Sequence, residues 1–514
     1  MTSHCDRASK SSRLEQAREY EERFSGNIRQ DERPVFHLPA RIGWMNDPNG
    51  FSFYGGRYHL FYQYYPYDSK WGRMHWGHAA SDDMLHWDFL PCALAPGEDY
   101  DNGLGCFSGS AVALPDGRHM LMYTGVSDAG RRDDGTLAQR QVQCLAFGDG
   151  VDYEKYAGNP VIDGSQLPEG LSTEHFRDPK LWQEDDGTYA CVIGALDKEA
   201  NLGRILRFTS PDGLAWSFAG ILAENDGSTG AMWECPDTFE LDGKQVLLVS
   251  PQDMIAEGNE FMSGNGTLCL VGHIDERTGA LVPETRHAID YGIDFYATQT
   301  LLAPDGRRIM VAWMQNWDTI SMADHKSWFG MMTLPRELSV RDGRLYQRPI
   351  RELDALRHDR VAYEGIKFGG ELALEGISGR MADIQLTVRR ADDEPYQEFA
   401  MWFAEGDGFH SSLRFSPDEQ ILKINRKHSG LRRAVVYHRK CDVTNYDGTL
   451  RLRVVLDRFS VEVFVGDGEQ TLSMTIPTNP SADAITFFAE GKVVMDIEKY
   501  DLSDVGVVPV ESDC

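Results

Sequence analysis

The chain has 514 residues, 41% apolar and 25% charged, which is enough to bury the cores of two to four domains. Its formal net charge of −29 excludes the positive face that nucleic acid or an anionic membrane needs, and suits a neutral or mildly charged small-molecule partner. Nine scattered cysteines form no C-x-x-C pair and no run of about 18 apolar residues occurs, which points away from a zinc ribbon and a membrane span and toward a reducing compartment, the cytoplasm.

Residues 1–33 form a charged leader with no apolar stretch of the signal-peptide kind. Leu14, Ala17 and Phe24 share one narrow helical face, so the leader is predicted to be a helix packed on the main domain, with a partner-binding segment as the other reading. Residues 34–345 then read as short strands and turns. "FYGGRYHLFYQ", "LPDGRHMLMYTG", "EDDGTYACVIG", "LDGKQVLLVS" and "PDGRRIMVAW" each place a Gly-Gly or Asp-Gly turn before an apolar strand. The first turn residues, Gly55, Asp116, Asp186, Asp242 and Asp305, are 61, 70, 56 and 63 residues apart. A repeat of that length holds about four strands, one blade of a β-propeller, so five turns predict five blades. A large β-sandwich is the alternative, but it gives no reason for an even repeat.

Eight residues before each turn stand Asp47, Ser108, Asp178, Glu234 and Ala297, the last beside Tyr296. If the units are blades, these positions are equivalent, and three carboxylates from different blades converge on one central pocket. In "GWMNDPNG", Asp47 is expected to begin a strand at that pocket with Trp44 at the rim, and Pro-Asn-Gly to carry the strand away. Residues 346–359 read as a connector. Residues 360–514, with alternating stretches such as "RLRVVLDRFSVEVFVGDGEQ", predict an antiparallel β-sandwich packed firmly on the first domain. The fold class is therefore all-β, a five-bladed β-propeller followed by a C-terminal antiparallel β-sandwich.

Two carboxyl groups flanking a glycosidic bond are the minimum equipment for its hydrolysis, and their environments must separate their pKa values. Asp47, short and held by amides of its turn, is the expected nucleophile. Glu234, between Trp233 and Cys235 and near the Asp47 charge, is the expected proton donor, with its pKa raised by desolvation. Asp178 follows Arg177, which is expected to keep it charged so that it can grip sugar hydroxyls. Each has a plainer reading: Asp-Pro is a common turn opener, and Asp47 and Asp178 both precede proline. Turn formation alone, however, does not call for acids in register.

These residues resemble a known family. "WMNDPNG", "FRDP" and "WECPD", in this order, are similar to glycoside hydrolase family 32, the β-fructofuranosidases. "YHLFYQYYP", "FSGSAV", "LPRELSV" and "DRFSVEVFVGDGE" extend the likeness across roughly residues 36–500, and the close spacing of "WGRMHWGHAASD" resembles the bacterial intracellular sucrases in particular. The resemblance implies a propeller and sandwich and a retaining double displacement, with Asp47 as nucleophile, Glu234 as acid and base, and Asp178 as transition-state stabiliser. It implies substrate contacts at Asn46, Gln63, Trp71, Phe107, Ser108, Arg177, Tyr296 and Trp313. The expected partner is a β-fructoside such as sucrose. Sucrose 6-phosphate, with Lys70 and Arg73 as phosphate partners, and fructosyl transfer are the alternatives within the family. A binding propeller without chemistry is the non-enzyme reading.

No cofactor and no metal are expected. His75, His78 and His86 lack the spacing of a zinc helix and read as packing residues. The sandwich is assigned to stability or to homo-oligomer formation.

Overall fold

The computed structural model describes residues 4–132, 135–319, 327–392, 395–431, 436–505 and 508–509, with side chains described for those between 13 and 505. Five sheets follow one another along the chain, each built on four antiparallel strands, the first extended to six by a short parallel strand at either edge. Blade I comprises Gly43–Tyr54, Arg57–Tyr65, His75–Ser81 and Trp87–Leu94. Blade II comprises Gly105–Ala113, His119–Arg131, Leu137–Gly148 and Tyr153–Lys155. Blade III runs from Leu171–Gln183 to Ser217–Glu224, blade IV from Trp233–Leu241 to Leu281–His287, and blade V from Tyr296–Leu302 to Arg344–Pro349. In every blade the Gly-Gly or Asp-Gly turn joins the first strand to the second, and its last glycine adopts the positive φ that such a turn requires. The five first strands touch in a closed ring, the last packing back on the first. The chain is thus a five-bladed propeller.

Side chains of the inner strands satisfy polar groups of neighbouring blades. Gln299 of blade V accepts from the amide of Phe51 (2.8 Å) and donates to the carbonyls of Pro48 (3.2 Å) and Gly109 (2.9 Å), tying three blades together. Ser110 of blade II donates to Pro179 O and accepts from Leu181 N on blade III. These bonds hold the site residues of separate blades in fixed register around the axis.

The outer edge of blade I is covered by the N-terminal helix, His4–Ser25. Glu21, almost fully buried, accepts from Cys92 N at 3.0 Å, and Arg18 Nε donates to Cys92 O at 2.9 Å. A strand edge that would otherwise present free backbone groups is thereby paired. Ala17 is buried beneath the helix, with Leu14 and Phe24 packed beside it. Val508–Pro509 adds a short parallel strand on the same outer edge.

A 3₁₀ turn, Arg351–Leu356, leads into the second module. Its two halves belong to one continuous ten-stranded sheet and share one long strand, Ala484–Leu502: residues 484–490 pair with Glu398–Gly406, and residues 493–501 pair with Ala382–Arg390. This is the C-terminal β-sandwich. Where it meets the propeller lies a buried ionic network. His37 sits between Asp457 (2.7 Å) and Glu462 (2.9 Å), and Arg336 donates to Glu462 and to Asp290 (3.0 Å). All five side chains are excluded from solvent at this boundary.

The described cysteines, Cys92, Cys106, Cys144, Cys191, Cys235, Cys269 and Cys441, are free thiols. No helix of the described residues is long and apolar enough to cross a membrane.

Candidate active site

The five positions that stand in register before the turns lie at the same structural feature. In each inner strand the ladder with the second strand slips: between Met45 and Pro48, Phe107 and Gly109, Arg177 and Lys180, Glu234 and Asp237, and Tyr296 and Gln299. These are β-bulges, which re-aim a side chain out of the regular alternation. Asp178, Cys235 and Ala297 take left-handed backbone within theirs, at φ 65°, 49° and 53°. The expectation that Asp47 begins a strand at a turn is corrected. Gly43–Tyr54 is one continuous strand, and Asp47-Pro48 is its bulge. Proline is tolerated there because a bulge frees one residue from the ladder.

The bulges turn Asp47, Asp178 and Glu234 into one cavity of about 520 Å³, with Asn46, Gln63, Trp71, Phe107, Ser108 and Arg177 in its wall. Trp71 stands at the rim, 39% exposed, edge-on to Phe107. Gln63 Nε2 donates to Cys106 O at 2.9 Å. The Asp47 carboxylate accepts from Ser108 Oγ (2.7 Å) and Asn46 Nδ2 (3.1 Å), with Cys235 Sγ at 3.7 Å. Its donors are mainly side chains rather than the amides of a turn. Burial pushes Asp47 above the usual carboxylate range, and the Glu234 charge adds to the rise.

Asp178 accepts from Cys235 N at 3.0 Å. Burial pushes it up to about 7 against the pull of Arg177, with Glu234 and Asp47 adding to the rise. The expected pairing of Arg177 with Asp178 is therefore corrected. The closest approach there is 3.9 Å, while the guanidinium donates twice to Glu234 Oε1, from Nε at 3.1 Å and Nη2 at 2.8 Å. The other Glu234 oxygen lies 2.6 Å from the Tyr296 hydroxyl. The surroundings expected for Glu234 also change. The Trp233 ring is bonded to Thr229 O, and the Cys235 thiol faces Asp47 and Asp178, so Glu234 meets polar donors and not apolar neighbours.

Three expected contact residues lie behind the cavity wall. Trp44, Tyr296 and Trp313 are 2%, 1% and 0% exposed and form an aromatic cluster with Phe329. Trp44 is not a rim residue: its Nε1 donates to Asn46 Oδ1 at 2.7 Å and so braces the neighbour of Asp47. Lys70 and Arg73 are exposed and outside the cavity wall. His75, His78 and His86 bond to separate partners, Arg73 O, His59 and Asp83. The wall also contains residues the sequence reading did not single out. Gln139, Gln141, Glu174 and His175 come from blades II and III, and Gln252, Asp253, Asn265 and Trp317 from blades IV and V. His175 was within reach, because strand alternation puts it on the face of Arg177 two residues on.

This arrangement, three acids from three blades with separate donor sets in one cavity, coincides with family-wide likeness. The model of the glycosyl hydrolases family 32 N-terminal domain matches residues 37–349, and that of the family 32 C terminal matches residues 352–504. The chain belongs to glycosyl hydrolase family 32. It is a glycosidase. Similar family 32 relatives include a raffinose invertase of Escherichia coli, 39% identical over 90% of this chain and 93% of that protein. A sucrose-6-phosphate hydrolase of the same organism is 38% identical over the same shares. Among solved structures, a β-fructofuranosidase of Bombyx mori superposes with a TM-score of 0.81 at 33% identity, covering 96% of this chain and 99% of that one.

Proposed function

We propose that the chain releases fructose from unphosphorylated β-fructosides such as sucrose by double displacement. Asp47 attacks the anomeric carbon of the fructosyl unit, and the bond to the leaving oxygen breaks as that oxygen takes a proton from Glu234. The glucose leaves, and fructose stays bound to Asp47 as an ester. Glu234, now a carboxylate, draws a proton from water, which attacks the same carbon and frees both fructose and Asp47. Asp178 accepts hydrogen bonds from fructose hydroxyls as positive charge develops on the ring.

The observation that carries this reading is the difference in donor sets within one cavity. Asp47 is held by short, fixed side chains at the end of a bulge, as a nucleophile must be. Glu234 is held by Arg177 and Tyr296 on both oxygens, which orient it for proton traffic. The preference for an uncharged sugar follows from the wall. It carries Asp47, Glu174, Asp178, Glu234 and Asp253 against one guanidinium, Arg177, which is already engaged. A phosphate brings about two further negative charges. The free thiols of the described residues support a cytoplasmic enzyme.

Glu234→Ala is expected to lower sucrose turnover roughly 10²–10⁴-fold, with partial recovery in azide. Asp47→Asn is expected to abolish the fructosyl-enzyme detected by mass spectrometry. A crystal structure should put the two carboxyl groups about 5–5.5 Å apart. Undiminished sucrose turnover in Glu234→Ala would overturn the assignment. Sucrose 6-phosphate turned over faster than sucrose would overturn the substrate preference, and fructosylated products at high sucrose would favour transfer.

A further inference from the structure

His175 lies on the inner strand of blade III, two residues before Arg177, in the wall of the cavity. Arg177 uses its donors in two directions. Nε and Nη2 donate to Glu234, and Nη1 donates to His175 Nδ1 at 3.1 Å. A guanidinium is planar, so fixing Nη1 fixes the direction of the other two donors. The bond needs a lone pair on Nδ1, which makes His175 a neutral ring with its proton on Nε2. Burial and the neighbouring Arg177 both push the ring below its ordinary value, in keeping with that state. Glu174, the residue before it, forms an ion pair with Arg132 from blade II and so anchors the strand at the mouth.

We infer that His175 is a positioning residue for the proton-transfer step: as a hydrogen-bond acceptor it locks the Arg177 guanidinium so that Glu234 points at the leaving oxygen. His175 need not touch the reacting atoms for this. Among hydrogen bonds its effect is confined to the group that donates the proton, since Asp178 lies 3.9 Å from the guanidinium and accepts no bond from it. This inference rests on the proposed role of Glu234.

That confinement makes it testable. A leaving group that departs as a stable anion, such as an aryl oxide, needs no proton. A sugar alkoxide needs one. His175→Phe keeps a ring but removes the acceptor. Its kcat/KM on sucrose is expected to fall roughly 10–100-fold, the size of loss that follows a misplaced catalytic group. On a p-nitrophenyl β-fructofuranoside the loss is expected to be under about threefold, because the same effect then has no proton to deliver. His175→Asn offers an amide oxygen near the position of Nδ1 and is expected to recover most of the sucrose rate. If the Phe variant fails to fold, His175→Ala is read against the same two substrates. Equal losses on both substrates would overturn the inference, as would an Asn variant no better than Phe or Ala. Glu234→Gln run in parallel separates the two readings. If its kcat/KM falls on sucrose but holds on the aryl fructoside, the role of Glu234 holds and only His175 is being judged. If it keeps sucrose, the proposed function fails first.

Discussion

Ser108 shows how a neutral residue at a register position can matter as much as an acid. Its hydroxyl lies 2.7 Å from Asp47 Oδ2 and is one of the two close oxygen or nitrogen side-chain donors on that carboxylate. Burial and the Glu234 charge push Asp47 up, and the Ser108 bond opposes them. A hydrogen bond to a charged group contributes about 1.5–3 kcal/mol, or roughly one to two pH units. Ser108→Ala removes it, so Asp47 is protonated at higher pH. The acid limb of kcat/KM on sucrose should then move upward by about one unit, with the alkaline limb in place. An acid limb that stays where it is in the wild type would show that Asp47 does not set it. Asp178, pushed up to about 7 in part by the Asp47 charge, titrates on the same limb, so the limb reports the two carboxyl groups together and its displacement is read for the pair.

The bulge is the element on which these residues depend, and it was only half legible. The spacing of Gly55, Asp116, Asp186, Asp242 and Asp305 marks the first hairpin of each blade because Asp-Gly and Gly-Gly are local signals that need no tertiary help. The matching offset of eight then marks the pocket. Asp47-Pro48 misled because Asp-Pro opens turns and tolerates bulges equally well, and only the partner strand decides between them. The burial of Trp44, Tyr296 and Trp313 was hidden for a similar reason. A tryptophan near a sugar site can stack on the ligand or brace the wall, and nothing within its own stretch of chain separates the two. Gly109 tests the element directly. A Cβ there would lie 1.9 Å from Met122 O, a backbone atom of the neighbouring strand, so Gly109→Ala must spread the first two strands of blade II beside Ser108. Such overpacking costs about 1–3 kcal/mol. We expect a lower thermal midpoint together with reduced kcat. A variant with a lowered midpoint but full kcat would mean that the bulge tolerates displacement without moving Ser108.

At the scale of the whole molecule, the two modules are joined through charges that the sequence could not pair. Arg336 and Glu462, or His37 and Asp457, are far apart along the chain, and neither has a local signal of its own. Burial alone would push His37 down, yet its hydrogen bonds to Asp457 and Glu462 carry it up to about 9. An unfolded histidine titrates near about 6.5. The folded state therefore binds the proton more tightly. The stabilisation is fully present below about 6.5 and is lost as the pH rises through about 9. Asp457 and Glu462 are shifted the other way: held below their ordinary values, they contribute above those values and lose their contribution as the pH falls through the lowered ones. His37→Gln removes the buried cation and leaves two carboxylates facing each other beside Arg336. Breaking a buried pair in this way costs about 3–5 kcal/mol. Calorimetry from pH 6 to 10 should show the wild type losing thermal stability between about 6.5 and 9 while the variant, already lower, changes less. The two curves should approach each other at the alkaline end. Parallel curves across the whole range would mean that His37 is not protonated in the folded enzyme.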